Sequence, residues 1–158
     1  MSILKALPKW LNSPDKVPQH PWPAAIILIR FMLGLVFLSE GIQKFLFSDQ
    51  LGVGRFMKIG IPQPEILAPI VGGIEITGGL LLLAGFLTRP ACFPLLSIML
   101  VAIISTKLGL LQTEGFWRMA HEARTDFCML MGLCFITLVG AGPWSLDNEW
   151  AKRRVSST

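Results

Sequence analysis

Four apolar runs recur along this chain, over residues 24–47, 66–87, 91–111 and about 119–144. Each is about 20 residues or longer, the length needed to cross a hydrocarbon core roughly 30 Å thick. Inside lipid every backbone N–H and C=O must find its partner within the segment, so runs of this length are expected to be helices. The expected fold class is all-α: an integral membrane four-helix transmembrane bundle. Composition points the same way. Of 158 residues, 53% are hydrophobic and only 15% charged, with a mean hydropathy of +0.61. Those proportions do not fit a soluble globule of this size.

The second run contains a carboxylate. Glu75 lies nine residues beyond Ile66, about 14 Å along a helix and so close to mid-membrane. A charge at that depth costs on the order of 2.5–3.5 kcal/mol on insertion scales, so it should face protein, water or a partner. Gly72, Glu75, Gly79, Leu82 and Phe86 recur at spacings of three and four. That seam places Glu75 on a face where small residues let a neighbouring helix approach. A matching seam runs along the first helix through Arg30, Gly34, Phe37, Gly41 and Lys44.

The domain expectation is a polar, proline-rich arm over 1–23, a transmembrane domain over 24–147 and a basic tail over 148–158. The arm lacks an apolar core followed by a small-residue cleavage site, so no secretory signal peptide is expected. Trp10 and Trp22 are expected at the membrane interface. If the N terminus is cytoplasmic, that side collects Lys5, Lys9, Lys16, Arg89, Lys152, Arg153 and Arg154, against Arg55, Lys58 and Arg118 outside. The positive-inside rule then puts both termini in the cytoplasm. Residues 48–65 read as a short amphipathic segment on the outer face, with Arg55 and Lys58 in water. A tight turn is expected at 88–90, Pro94 in the first turn of the third helix, and an outer loop over 112–118. Ser145 or Asp147 is placed to cap a short interfacial helix.

Charges on the first, second and fourth helices fall at comparable depths. Glu40 and Lys44, four apart, can pair on one face. Arg30 has the reach for Glu75, and Arg124 and Asp126 sit in the outer half of the fourth helix. Lys107 reads as a lysine snorkelling to the interface. Arg30, Glu40, Lys44, Glu75, Arg124 and Asp126 are therefore candidates for one interior site, either a charge-paired structural network or a pocket for a ligand, proton or partner. His121 and Arg89 are secondary candidates. Neutralising Glu75 or Arg124 should matter more than neutralising Lys107.

Several classes are excluded. There is no serine–histidine–acid arrangement, zinc spacing or histidine pair for haem, and no phosphate loop or nucleic-acid motif. No metal site is expected: Cys92, Cys128 and Cys134 form no C-x-x-C pair, and the methionines read as core filling. No cofactor motif is evident.

The chain resembles the DoxX family of small four-helix bacterial membrane proteins. The resemblance rests on RFMLGLVFLSEGIQKF at 30–45, GIP at 60–62, GGIEITGGLLLLAGFLTR at 72–89, and RTDFCMLMG with GAGPWSLD at 124–132 and 140–147. These pieces cover about 29–147 in order. The resemblance implies a bacterial inner-membrane protein linked to redox or sulfur metabolism. DoxD-type relatives are membrane parts of thiosulfate:quinone oxidoreductase; other members are associated with oxidative-stress complexes or with maturation of metal-binding peptides. Its family-like polar positions are Arg30, Glu40, Lys44, Glu75, Arg89, Arg124 and Asp126. Three readings follow: a quinone-linked accessory subunit with a redox or sulfur-oxidising partner, a scaffold or assembly factor without catalytic activity, and a small proton-coupled exporter using Glu75. At most the chain is then a non-catalytic or quinone-interacting subunit of an oxidoreductase. Membrane lipids are its surroundings, nucleic acid is not a partner, and a homo-oligomer is left open. The exporter needs an uncompensated acid, and three nearby bases oppose it.

Overall fold

The computed structural model describes residues 22–156, with side chains from Ala24 to Arg153. After a 3-10 turn (Trp22–Ala25) come α1 (Ile26–Leu46), α2 (Ser48–Leu51), α3 (Val53–Lys58), α4 (Pro64–Ala84), α5 (Thr88–Glu114), α6 (Phe116–Val139) and α7 (Leu146–Ser156). No β-strand occurs among the described residues. Most of the expected arm, with Trp10 and the arm lysines, lies outside the described residues, as does the side chain of Arg154.

The all-α bundle of four long helices is present. By length and apolarity α1, α4 and α5 each suffice to cross a membrane. The 24 residues of α6 are long enough, but Arg118, Glu122, Arg124 and Asp126 crowd its first half. Leu28, Phe31, Leu35, Leu80, Ile104 and Leu138 are all exposed, a surface that only lipid or a partner would cover without cost.

The two seams pack against each other. Hydrophobicity gives little drive for helix association in lipid, so close backbone packing must supply it. A Cβ added at Gly79 would stand 2.7 Å from Leu38 N and 2.8 Å from Gly34 O; one at Gly41 would stand 2.7 Å from Gly72 O. α1 and α4 thus touch backbone to backbone, antiparallel, with Gly34 against Gly79 and Gly41 against Gly72. α5 and α6 form the second intimate pair, and the two pairs meet along narrower contacts. Leu33, Leu82, Leu95, Leu133 and Ile136 are fully buried between them. All five lie toward the end where the chain termini sit, so the dense core fills only that half.

The turns differ from expectation. Thr88–Pro90 is the first turn of α5, where proline has no hydrogen bond to lose. The reversal is made earlier, by Gly85 and Leu87 at positive φ. Pro94 consequently lies inside α5. The loop expected at 112–118 shrinks to Gly115, whose φ of +82° a side chain would disfavour. The fourth helix stops at Val139 instead of running to 144, where Gly140, Gly142 and Pro143 break it. In the 48–65 segment Arg55 and Lys58 are exposed as expected, but Phe56 is buried. The segment therefore caps the bundle end and does not simply rest on a membrane surface.

Candidate functional site

Side chains on a helix lean toward that helix's own N terminus. On antiparallel α1 and α4, Lys44 leans inward along the bundle and Glu75 leans outward, and they meet. Lys44 Nζ lies 2.6 Å from Glu75 Oε2 and 3.9 Å from Glu40 Oε2. The Lys44 and Glu75 side chains are 12% and 6% exposed, whereas that of Glu40 is 53% exposed. The contact is an ionic one, since Glu75 Oε2 completes no hydrogen bond of ordinary angular geometry.

This pair borders a cavity of about 600 Å³ between the two helix pairs, at the α2–α3 end. Phe37, Val71, Met99 and Met129 supply apolar wall, while Leu51 and Phe56 close the end. Ser97, Ser105, Thr106 and Thr125 line it as well, with Asp126 opposite the Lys44–Glu75 pair. Asp126 Oδ2 is held 3.0 Å from Lys107 Nζ, across the α5–α6 hairpin. Lys107, expected to snorkel, is instead an ion-pair partner with only 14% of its side chain exposed. The signal was present: Lys107 and Asp126 stand eight and eleven residues from Gly115, within one turn of the same level once the hairpin is known to be that tight.

The remaining candidates lie elsewhere. Arg30 does not reach Glu75. Its guanidinium donates to Ala141 O and, at 2.6 Å, to Trp144 O. It leans toward the N terminus of α1, away from Glu75. There it packs against Gly85 in a latch at the termini end: Asp147 accepts from Leu87 N–H (2.8 Å) and Thr88 N–H (3.0 Å), and Asp147 N–H donates to Gly85 O (2.9 Å). Asp147 thus caps α5 at the strained Leu87. Ser145 Oγ accepts from Asn148 N–H and caps α7. Arg89 donates to Leu138 O at 3.1 Å beside a smaller cavity of about 320 Å³. Arg124 is exposed and lies against the His121 ring. The single site of six residues is therefore a cluster of four, Glu40, Lys44, Glu75 and Asp126, with Arg30 and Arg124 apart from it. Among the polar cavity residues, Gln43, Thr125 and the α5 hydroxyls carried no expectation from sequence, and Arg55 was expected only to face water.

The arrangement joins an apolar enclosure to a band of paired charge, which suits an amphipathic molecule entering from lipid. Among the described residues no three or more His, Cys, Asp or Glu side chains converge as a metal site.

The DoxX family model matches residues 25–108, from α1 through most of α5. The chain belongs to the DoxX family. This DoxX protein is 54% identical over 154 residues to an uncharacterized membrane protein of Mycobacterium tuberculosis, covering 94% of this chain and 92% of the relative. It is 29% identical over 135 residues to an uncharacterized protein of Haemophilus influenzae, covering 83% and 94%. It is also 27% identical over 122 residues to a Bacillus subtilis protein with the provisional name oxidoreductase CatD, covering 77% and 83%. No solved structure matches the DoxX chain.

Proposed function

We propose that this DoxX protein is an inner-membrane accessory subunit of a redox complex and that it holds a quinone-type molecule in the cavity beside Lys44 and Glu75. One observation carries the reading: a cavity of about 600 Å³, largely apolar, bordered by a buried ion pair and opening where two helix pairs diverge. Pockets of roughly 300–1,000 Å³ with a few convergent polar groups are the usual form of a small-molecule site. The provisional oxidoreductase name of the Bacillus subtilis relative is in keeping with it. Electrons in this reading come from a partner, in keeping with a sequence in which no motif for an electron-carrying cofactor is evident. In this reading the termini end, with Arg89, Lys152 and Arg153, faces the cytoplasm.

A photoreactive short-chain quinone incubated with native membranes tests this. Labelling of peptides containing Met99 and Met129, competed by unlabelled quinone, is the expected result; labelling spread over lipid-facing peptides alone would defeat it. An assembly-factor reading draws on a different feature. The exposed first half of α6, with Arg124 against His121 and not against a carboxylate, is a surface on which another membrane protein could dock. Proton-coupled export has less to support it, since a carrier acid would stand without a basic partner and Glu75 Oε2 lies 2.6 Å from Lys44 Nζ.

A further inference from the structure

The hydroxyls along α5 do not offer their protons to the cavity. Ser97 Oγ donates to Phe93 O, Ser105 Oγ to Val101 O and Thr106 Oγ to Ala102 O, each to its own helix. Hydroxyls satisfied in this way keep only lone pairs for a neighbour. Gln43 behaves similarly, directing its amide N–H to Ser39 and leaving its carbonyl oxygen. Three carboxylates, Glu40, Glu75 and Asp126, add further acceptors from α1, α4 and α6 to the cavity lining. Donors come from fewer side chains: Lys44 is held between Glu75 and Glu40, the exposed Arg55 guanidinium lies on α3 at the bundle end, and Thr125 contributes one hydroxyl.

Charge is balanced as well. Glu40, Glu75 and Asp126 stand against Lys44, Lys107 and Arg55, so an occupant has no net charge to neutralise. Among these acceptors Glu75 is buried and Thr106 and Asp126 are half-buried; an acceptor removed from water and left without a donor is costly, so such groups favour molecules that can donate. We infer that the cavity selects a neutral amphipathic molecule whose head donates hydrogen bonds, so that a hydroquinone is bound in preference to the corresponding quinone, which only accepts. This rests on the quinone-type reading above and names the oxidation state that the wall favours. The apolar body would lie against Phe37, Met99 and Met129 while two O–H groups face the α5 hydroxyls and the carboxylates.

The test uses the full chain in phosphatidylcholine nanodiscs under anaerobic conditions. Binding is measured for a short-chain benzoquinone, its hydroquinone and the dimethyl ether of that hydroquinone. The hydroquinone should bind roughly tenfold or more tightly than either of the others. The near-isosteric changes Thr106→Val and Ser105→Ala should shrink that gap without unfolding the helix. Equal or tighter binding of the quinone, with all binding lost in the cavity-filling Ala102→Leu variant, would overturn the inference and leave the quinone-type site standing. No binding of any of the three would overturn both.

Discussion

The bundle buries charge at both ends but treats it differently. At the termini end Arg30 is 2% exposed, packed against Gly85, and bonded to the carbonyls of Ala141 and Trp144. At the α2–α3 end Glu75 is 4% exposed, yet its partner is the tip of a flexible lysine and its neighbour is open space. Backbone acceptors enclosed by a dense core make Arg30 part of the architecture. A side-chain partner beside a void leaves Glu75 and Lys44 able to rearrange around an occupant. Burial alone does not separate the two ends; what differs is what surrounds the partner, and the proposed ligand site rests on that difference.

The contrast can be broken most forcefully at Lys44. Lys44→Met strands the buried Glu75 carboxylate and should cost about 3–5 kcal/mol, whereas Lys44→Met with Glu75→Met should recover most of it. Thermal unfolding in detergent of both singles and the double gives the coupling; additive losses would show that the pair does not act as a unit. Next is Arg30→Met, which leaves the buried Ala141 carbonyl and the part-buried Trp144 carbonyl without that partner and should cost roughly 2–3 kcal/mol. It should lower Tm while leaving ligand affinity in the folded fraction unchanged, unlike Glu75→Gln, which should weaken binding.

A smaller effect separates Lys107 from Arg124. The expectation from sequence ranked Arg124 above Lys107 for function; for stability the geometry points to Lys107. Lys107→Gln strands half-buried Asp126 and should destabilise by about 1 kcal/mol, while Arg124→Gln on the exposed face should change Tm little. The smallest effect belongs to α7. Hydrogen bonding and charge from Lys152 hold the fully exposed Glu149 carboxyl below its usual range. Its small contribution is fully present at neutral pH and fades only as pH falls through that lowered value, so Lys152→Gln should lower Tm only slightly, and by the same amount across about pH 6 to 8.

Helix number, the two seams and the Glu40–Lys44 spacing were legible because apolar run length and three-four periodicity are local properties. The base chosen by Glu75 was harder to read. Arg30 and Lys44 occupy the same seam, and only the lean of each side chain toward its own N terminus takes Lys44 to Glu75 and Arg30 away from it. The Lys107–Asp126 pair depended on a turn of one residue at Gly115, where the sequence suggested a loop of seven. Cavity hydroxyls were invisible for another reason. Ser97, Ser105 and Thr106 resemble ordinary polar interruptions of an apolar helix until the facing pair is seen to diverge from them.

The most direct measurement is native mass spectrometry of the protein gently extracted from its own membrane, with bound small molecules identified, for wild type and Glu75→Gln. A stoichiometric quinone or hydroquinone on wild type, depleted in the variant, is the predicted result. A wild-type protein carrying phospholipid alone, indistinguishable from the variant, would contradict a ligand site at Lys44 and Glu75 and reduce that pair to architecture of the same kind as Arg30.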